Sequence, residues 1–131
     1  ASSRNVLQKP YLCRKVMDQN DLVVFKNSPY ELSRLSFNSN YITMIKQALR
    51  EVMTSGTGRI GNTPLIAISG KTGTAEDPPR KTPHAWFVGY APAERPALAV
   101  VVFLESGGHG GETAVPIARD TLVWWQQHRN K

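Results

Sequence analysis

Residues 97–104 form an unbroken apolar run, Ala97-Leu98-Ala99-Val100-Val101-Val102-Phe103-Leu104, and no other stretch constrains the fold as strongly. It falls far short of the roughly 20 residues that a helix needs to cross a bilayer. Its β-branched content favours a strand, and a strand apolar at every position predicts cover on both faces. The turn Ala91-Pro92-Ala93-Glu94-Arg95-Pro96 joins it to a second strand-like segment, residues 84–90. A third begins as the buried-strand run Leu65-Ile66-Ala67-Ile68 and continues into Ser69-Gly70-Lys71-Thr72-Gly73-Thr74-Ala75. Consecutive strands with short connections pair antiparallel most readily, so the expectation is a three-stranded antiparallel meander.

Two helices are available to cover that sheet. Ile42, Ile45, Leu49, Val52 and Met53 recur at helical spacing, with Lys46 and Arg50 opposite. The pattern predicts an amphipathic helix over 41–54, capped by Ser39 or Asn40 and stopped at Gly56. A C-terminal helix is predicted after Thr113 as cap, with Pro116 in the first turn, where a missing N–H costs little. Its apolar face is Val115, Ala118, Leu122 and Trp125, widened by Ile117 and Trp124. Upstream, residues 11–17 and 22–25 flank the turn signal Asp18-Gln19-Asn20-Asp21 and predict an N-terminal β-hairpin with one apolar face. Residues 1–8 show no clear element, and 30–37 are ambiguous. Segments 55–63, 76–83 and 105–112 are rich in turn residues and read as loops. The prolines of 76–83, beside Arg80 and Lys81, suit either a stiff cleft wall or a plain connection. The fold class is α+β, in a chain of 131 residues, enough for one domain burying roughly two thirds of its surface.

Composition narrows the function classes. Apolar content of 40% and charged content of 20% are those of a globular chain. The formal net charge is +6, but Lys and Arg are dispersed and no aromatic–basic interleaving occurs, so nucleic acid is not an implied partner. No signal peptide opens the sequence; residues 1–8 read like the tail of something begun earlier. Cys13 is the only cysteine, has no nearby activating His, and reads as a small core residue. His84, His109 and His128 show no metal-ligand spacing, so neither a metal nor a cofactor is implied.

Chemistry concentrates in Lys71-Thr72-Gly73-Thr74. Lys71 carries a compact charge suited to a carboxylate or to proton shuttling. Thr72 and Thr74 each offer a hydroxyl donor and two acceptor lone pairs. Gly73 lets another backbone approach, and the N–H of Thr74 is a candidate oxyanion donor. Gly70-Lys71-Thr72 is not the end of a phosphate loop. Such a loop needs Gly where Leu65 stands and a helix where Glu76-Asp77-Pro78-Pro79 follows.

The Lys-Thr-Gly box belongs to a longer pattern. A helix precedes it. A proline-rich loop follows, then His84-Ala85-Trp86-Phe87-Val88-Gly89-Tyr90-Ala91-Pro92, a second hydrophobic strand, Gly110-Gly111 and a terminal helix. This order resembles the C-terminal part of the transpeptidase domain of class B penicillin-binding proteins, from about Lys9-Pro10 to the last helix. The resemblance implies a serine D,D-transpeptidase that cross-links peptidoglycan outside the cytoplasmic membrane and is acylated by β-lactams. Lys71 would aid proton transfer and charge balance. Thr72 and Thr74 would contact the terminal carboxylate of a D-Ala-D-Ala stem peptide or a β-lactam. Gly73 would let the substrate lie along the strand, and Thr74 N–H would form half the oxyanion hole. The nucleophile is missing: no Lys in the chain has a Ser three residues before it. Ser36-Phe37-Asn38 matches the family's second box formally, but it lies too close to Lys71. The chain is therefore expected to be inactive alone, to need the upstream remainder of its domain as partner, and to reach the membrane only through that upstream region. A non-enzymatic peptide- or partner-binding module is the rival reading, and a β-lactam sensor or β-lactamase a third.

Overall fold

The computed structural model describes residues 6–34, 36–78 and 81–129. These divide into two compact units, one ending at Asn38 and one starting at Ser39.

The first unit holds four short strands: β1 (Val6–Gln8), β2 (Lys15–Met17), β3 (Val23–Lys26) and β4 (Glu31–Arg34). β1 pairs antiparallel with β4, and β2 with β3. The β2–β3 pair is the predicted hairpin, and its turn has a local cause. The Asp18 carboxylate accepts the N–H groups of Asn20 (2.8 Å) and Leu22 (3.0 Å), while Asp21 adopts φ 62°. Two expectations fail here. Val16, Met17, Val23, Val24 and Phe25 are all exposed, so neither hairpin face is buried within this unit. Cys13 is exposed too, not a core residue. Strands β1 and β4 lie in segments that carried no clear pattern; residues 1–5 and Leu35 fall outside the described residues.

The second unit contains α1 (Ser39–Thr54), a 3-10 turn (Arg59–Gly61), β5 (Ser69–Ala75), β6 (His84–Ala91), β7 (Leu98–Leu104) and α2 (Ala114–His128). Its sheet has the order β5-β6-β7, both pairs antiparallel, so the meander stands. Register is continuous: Thr72 faces Phe87, which faces Val102. That row belongs to the core, with Met53 from α1, Ala114, Val115, Ala118 and Leu122 from α2, and Ile66, Ile68, Ala85 and Ala91.

Both helices therefore pack on one face, and the expected cover of β7 on both faces does not occur within this unit. Alternation sends Trp86, Val88, Val101 and Phe103 to the other face, where Val101 is 62% exposed. Trp86 and Phe103 shelter each other there, ring centroids 4.4 Å apart. The helix faces are narrower than their patterns. Ile45 is exposed on α1, and Ile117 and Trp124 on α2. Helix α1 starts at Ser39, so Ser39 and Asn40 lie inside its first turn instead of ahead of it. Thr113 stands at the N-cap position of α2 as expected, but without a side-chain cap bond; its hydroxyl donates to the carbonyls of Gly107 and His109.

Residues 65–68 are not a strand. Ile66 and Ile68 are buried, but the carbonyl of Ala67 accepts Ala93 N–H at 2.8 Å, and that of Ile68 accepts the Arg50 guanidinium at 2.8 Å. With those groups engaged elsewhere, ladder pairing begins at Ser69. Arg50 is thus a half-buried tie from α1 to the entry of β5, not a solvated residue.

One side chain fixes the loops around β5. His84 Nδ1 accepts Ser106 N–H at 2.9 Å, which leaves the ring proton on Nε2, 3.2 Å from Asp77 Oδ2. His84 thereby joins the loop after β5, the start of β6 and the loop after β7. The loop after β7 closes on the sheet at Gly110: a Cβ there would lie 2.3 Å from Trp86 O and 2.4 Å from Gly73 O, so only Gly fits.

Two outcomes follow from this packing. Phe87→Ala should lower unfolding stability by about 3–5 kcal/mol, whereas Val101→Ala on the open face should stay within about 0.5 kcal/mol, both read by urea denaturation. His84→Phe should speed hydrogen exchange of the Ser106 amide by about fivefold, the worth of one ~1 kcal/mol hydrogen bond.

Candidate functional site

Strand β5 pairs only with β6 among the described residues, so it is an edge strand of its sheet. Its alternation separates the four box residues. Thr72 and Thr74 share the face of Phe87 and Ala85, their register partners; Lys71 and Gly73 share the face of Val88 and Trp86. Lys71 is exposed, and its ammonium donates to the carbonyl of Thr72 at 2.7 Å. Thr72 is buried, with its hydroxyl 2.6 Å from that of Thr57. Thr74 is exposed, and its hydroxyl accepts Gly110 N–H at 3.5 Å. Gly73 is half-buried; a Cβ there would lie 3.1 Å from Trp86 Cβ, and the backbone that approaches it belongs to Gly110.

A cavity of about 460 Å³ opens beside the two threonines. Its other walls are the segment after α1, with Thr57 and Arg59, and the loop after β7, with His109 and Glu112. Lys71 is not part of its lining. The segment 76–83 does not line it either through its described residues; Pro79 and Arg80 lie outside them. Thr57, Arg59, His109 and Glu112 sit in segments that read in the sequence as loops. A polar loop gives no signal of which strand it will fold against. Thr57 and Thr72 are 15 residues apart and meet only because α1 returns the chain to β5.

The site can hold a partly desolvated anion. It offers hydroxyl donors on Thr74 and Thr72, a guanidinium on Arg59, and room for several non-hydrogen atoms. Among the described residues no three His, Cys, Asp or Glu side chains group as metal ligands. No helix of the described residues is long and apolar enough to cross a membrane.

Comparison with known proteins accounts for this arrangement. The family model described as the penicillin-binding protein transpeptidase domain matches residues 3–123. The peptidoglycan D,D-transpeptidase MrdA of Acinetobacter baumannii is 36% identical over 114 residues, covering 75% of this chain and 17% of that protein. The peptidoglycan D,D-transpeptidase PbpA of Mycolicibacterium smegmatis is 32% identical over 128 residues, 90% of this chain and 25% of its own length. Among solved structures, the D,D-transpeptidase domain of a peptidoglycan glycosyltransferase from Eggerthella lenta superposes with TM-score 0.74 at 32% identity, covering 96% of this chain and 28% of that one. Penicillin-binding protein A of M. tuberculosis, solved as a ceftriaxone acyl-enzyme complex, superposes with TM-score 0.78 at 28% identity, covering 90% and 28%. The chain thus spans about a quarter or less of the relatives it matches in sequence. With a family model covering nearly all of it and a fold to match, the chain belongs to the penicillin-binding protein transpeptidase family.

Proposed function

We propose that this chain forms the substrate-binding wall of a serine D,D-transpeptidase that cross-links peptidoglycan stem peptides and is acylated by β-lactams. The observation that carries it is an edge strand bearing Lys71-Thr72-Gly73-Thr74 beside a cavity into which both threonines open. An extended peptide ending in D-Ala-D-Ala is held along such an edge by main-chain hydrogen bonds. Its terminal carboxylate meets the hydroxyls of Thr72 and Thr74. The N–H of Thr74 donates to the oxygen of the scissile carbonyl as it gains negative charge, worth about 2.7–4 kcal/mol in the transition state.

Bond making needs a serine hydroxyl, which attacks the carbonyl, expels D-Ala and leaves a serine ester for the acceptor amine. This serine comes from the remainder of the domain. The exposed face of the β5-β6-β7 sheet, with Trp86, Val88, Val101 and Phe103, suits cover by that remainder, since the solved relatives are more than three times as long as the matched part. Lys71, on that face, serves proton transfer around the incoming serine. The parent protein then works at the outer face of the cytoplasmic membrane, where its polymer lies.

Fluorescent penicillin tests this reading. The 131-residue chain should take up no covalent label. A longer protein joining it to an upstream Ser-x-x-Lys should label stoichiometrically. Labelling of the chain alone would place a nucleophile within it and overturn the scheme. In the longer protein, Lys71→Ala should slow acylation on the order of a hundredfold or more, with unfolding stability unchanged; acylation at the wild-type rate would remove Lys71 from the mechanism.

A further inference from the structure

Strand alternation creates a charge problem in this site. Thr72 and Thr74 open into the cavity, while Lys71 leaves β5 on the opposite face and donates to the Thr72 carbonyl. The hydroxyl of Thr72 is already shared with Thr57 at 2.6 Å. Hydroxyls donate hydrogen bonds but carry no charge. An anion drawn out of water between them still needs a cation to offset its desolvation.

Among the described residues Arg59 is the one Lys or Arg in the lining of this cavity. It is held in the 3-10 turn between α1 and the entry to β5. That turn is anchored on both sides. Arg59 N–H donates to Gly56 O at 3.2 Å, and the neighbouring Ile60 carbonyl accepts the Arg119 guanidinium of α2 at 3.2 Å. The Arg59 side chain makes no hydrogen bond or ion pair with the described residues, so its planar donor fork is free to receive a carboxylate. Two other ionisable groups among the described residues line the cavity, His109 and Glu112, both from the loop after β7. Glu112 opposes an anion, so it weakens the hold that Arg59 exerts and favours a ligand with a single negative end.

We propose that Arg59, and not Lys71, which is outside the cavity lining and engaged by the Thr72 carbonyl, is the counter-ion for the ligand carboxylate held by the threonines. Resting on the reading of Thr72 and Thr74 as carboxylate-binding groups, this adds a binding residue outside the Lys-Thr-Gly box and divides the labour. Arg59 selects the charge of the ligand, and Lys71 attends to the serine.

The test uses the full 131-residue chain, ¹⁵N-labelled, and two probes: N-acetyl-D-alanyl-D-alanine and its C-terminal amide. Binding is followed at the amides of Thr72 and Thr74. Wild type should favour the acid over the amide by about tenfold or more, as a charge-assisted hydrogen bond allows. Arg59→Gln should abolish that preference without weakening the amide, and Arg59→Lys should restore part of it. Glu112→Gln should raise affinity for the acid alone. Arg95→Gln, which removes the same charge from the β6–β7 turn, should leave the ratio unchanged. An Arg59→Gln chain that folds and keeps the wild-type ratio would overturn the role of Arg59 while leaving the threonines in place. A wild-type chain that binds neither probe, or both equally, would overturn the carboxylate reading of the threonines and this proposal with it.

Discussion

The pairing of β5 with β6 is the constraint from which the rest of the site follows. Once Thr72 is set opposite Phe87, a period of two decides where every box side chain goes. The two threonines fall on the face packed by the helices, beside a cavity. Lys71 falls on the face that this unit leaves open. A slip of one residue would exchange them. The register is held by Phe87, fully buried between the helices and the sheet. Gly70 and Gly89 hold it too, because a Cβ at either would collide with the Phe87 ring, at 2.4 and 2.6 Å.

A sheet with one covered face and one bare apolar face is half a sandwich. In the second unit the bare face shows Trp86, Val88, Val101 and Phe103, and in the first unit both hairpin faces are exposed. These residues match a family whose members are several times longer than the matched segment. The same division organises the chemistry. Thr72, Thr74 and Arg59 line the cavity built by this chain, whereas Lys71 lies on the opposite, bare face of the sheet.

Much of the fold was legible because its signals are local. The run at 97–104, the turn at 91–96 and the helical spacing of 42–53 each declare an element within a few residues, and β6, β7, α1 and α2 follow them closely. Failures occur where a distant partner decides. The apolar run 65–68 has the composition of a strand, yet Arg50 and Ala93 take its carbonyls and leave it without a ladder. Thr113 has the residue type of a cap, yet its hydroxyl turns to Gly107 and His109. Each helix face is narrower than its pattern, because periodicity reports which side is apolar, not how much of it finds cover.

The candidate site divides in the same way. The sequence by itself determined the box, its place on a strand, the meander that presents it, and the family, because hydroxyls, an amine and a Gly in fixed order carry their chemistry with them. Tertiary structure alone decided which box residues share a face, that Thr57, Arg59, His109 and Glu112 wall the cavity beside them, and that both helices lie on one side of the sheet. Those facts depend on how loops far apart in the chain close against β5, and loop closure is set by backbone geometry and packing that no local pattern of residues records.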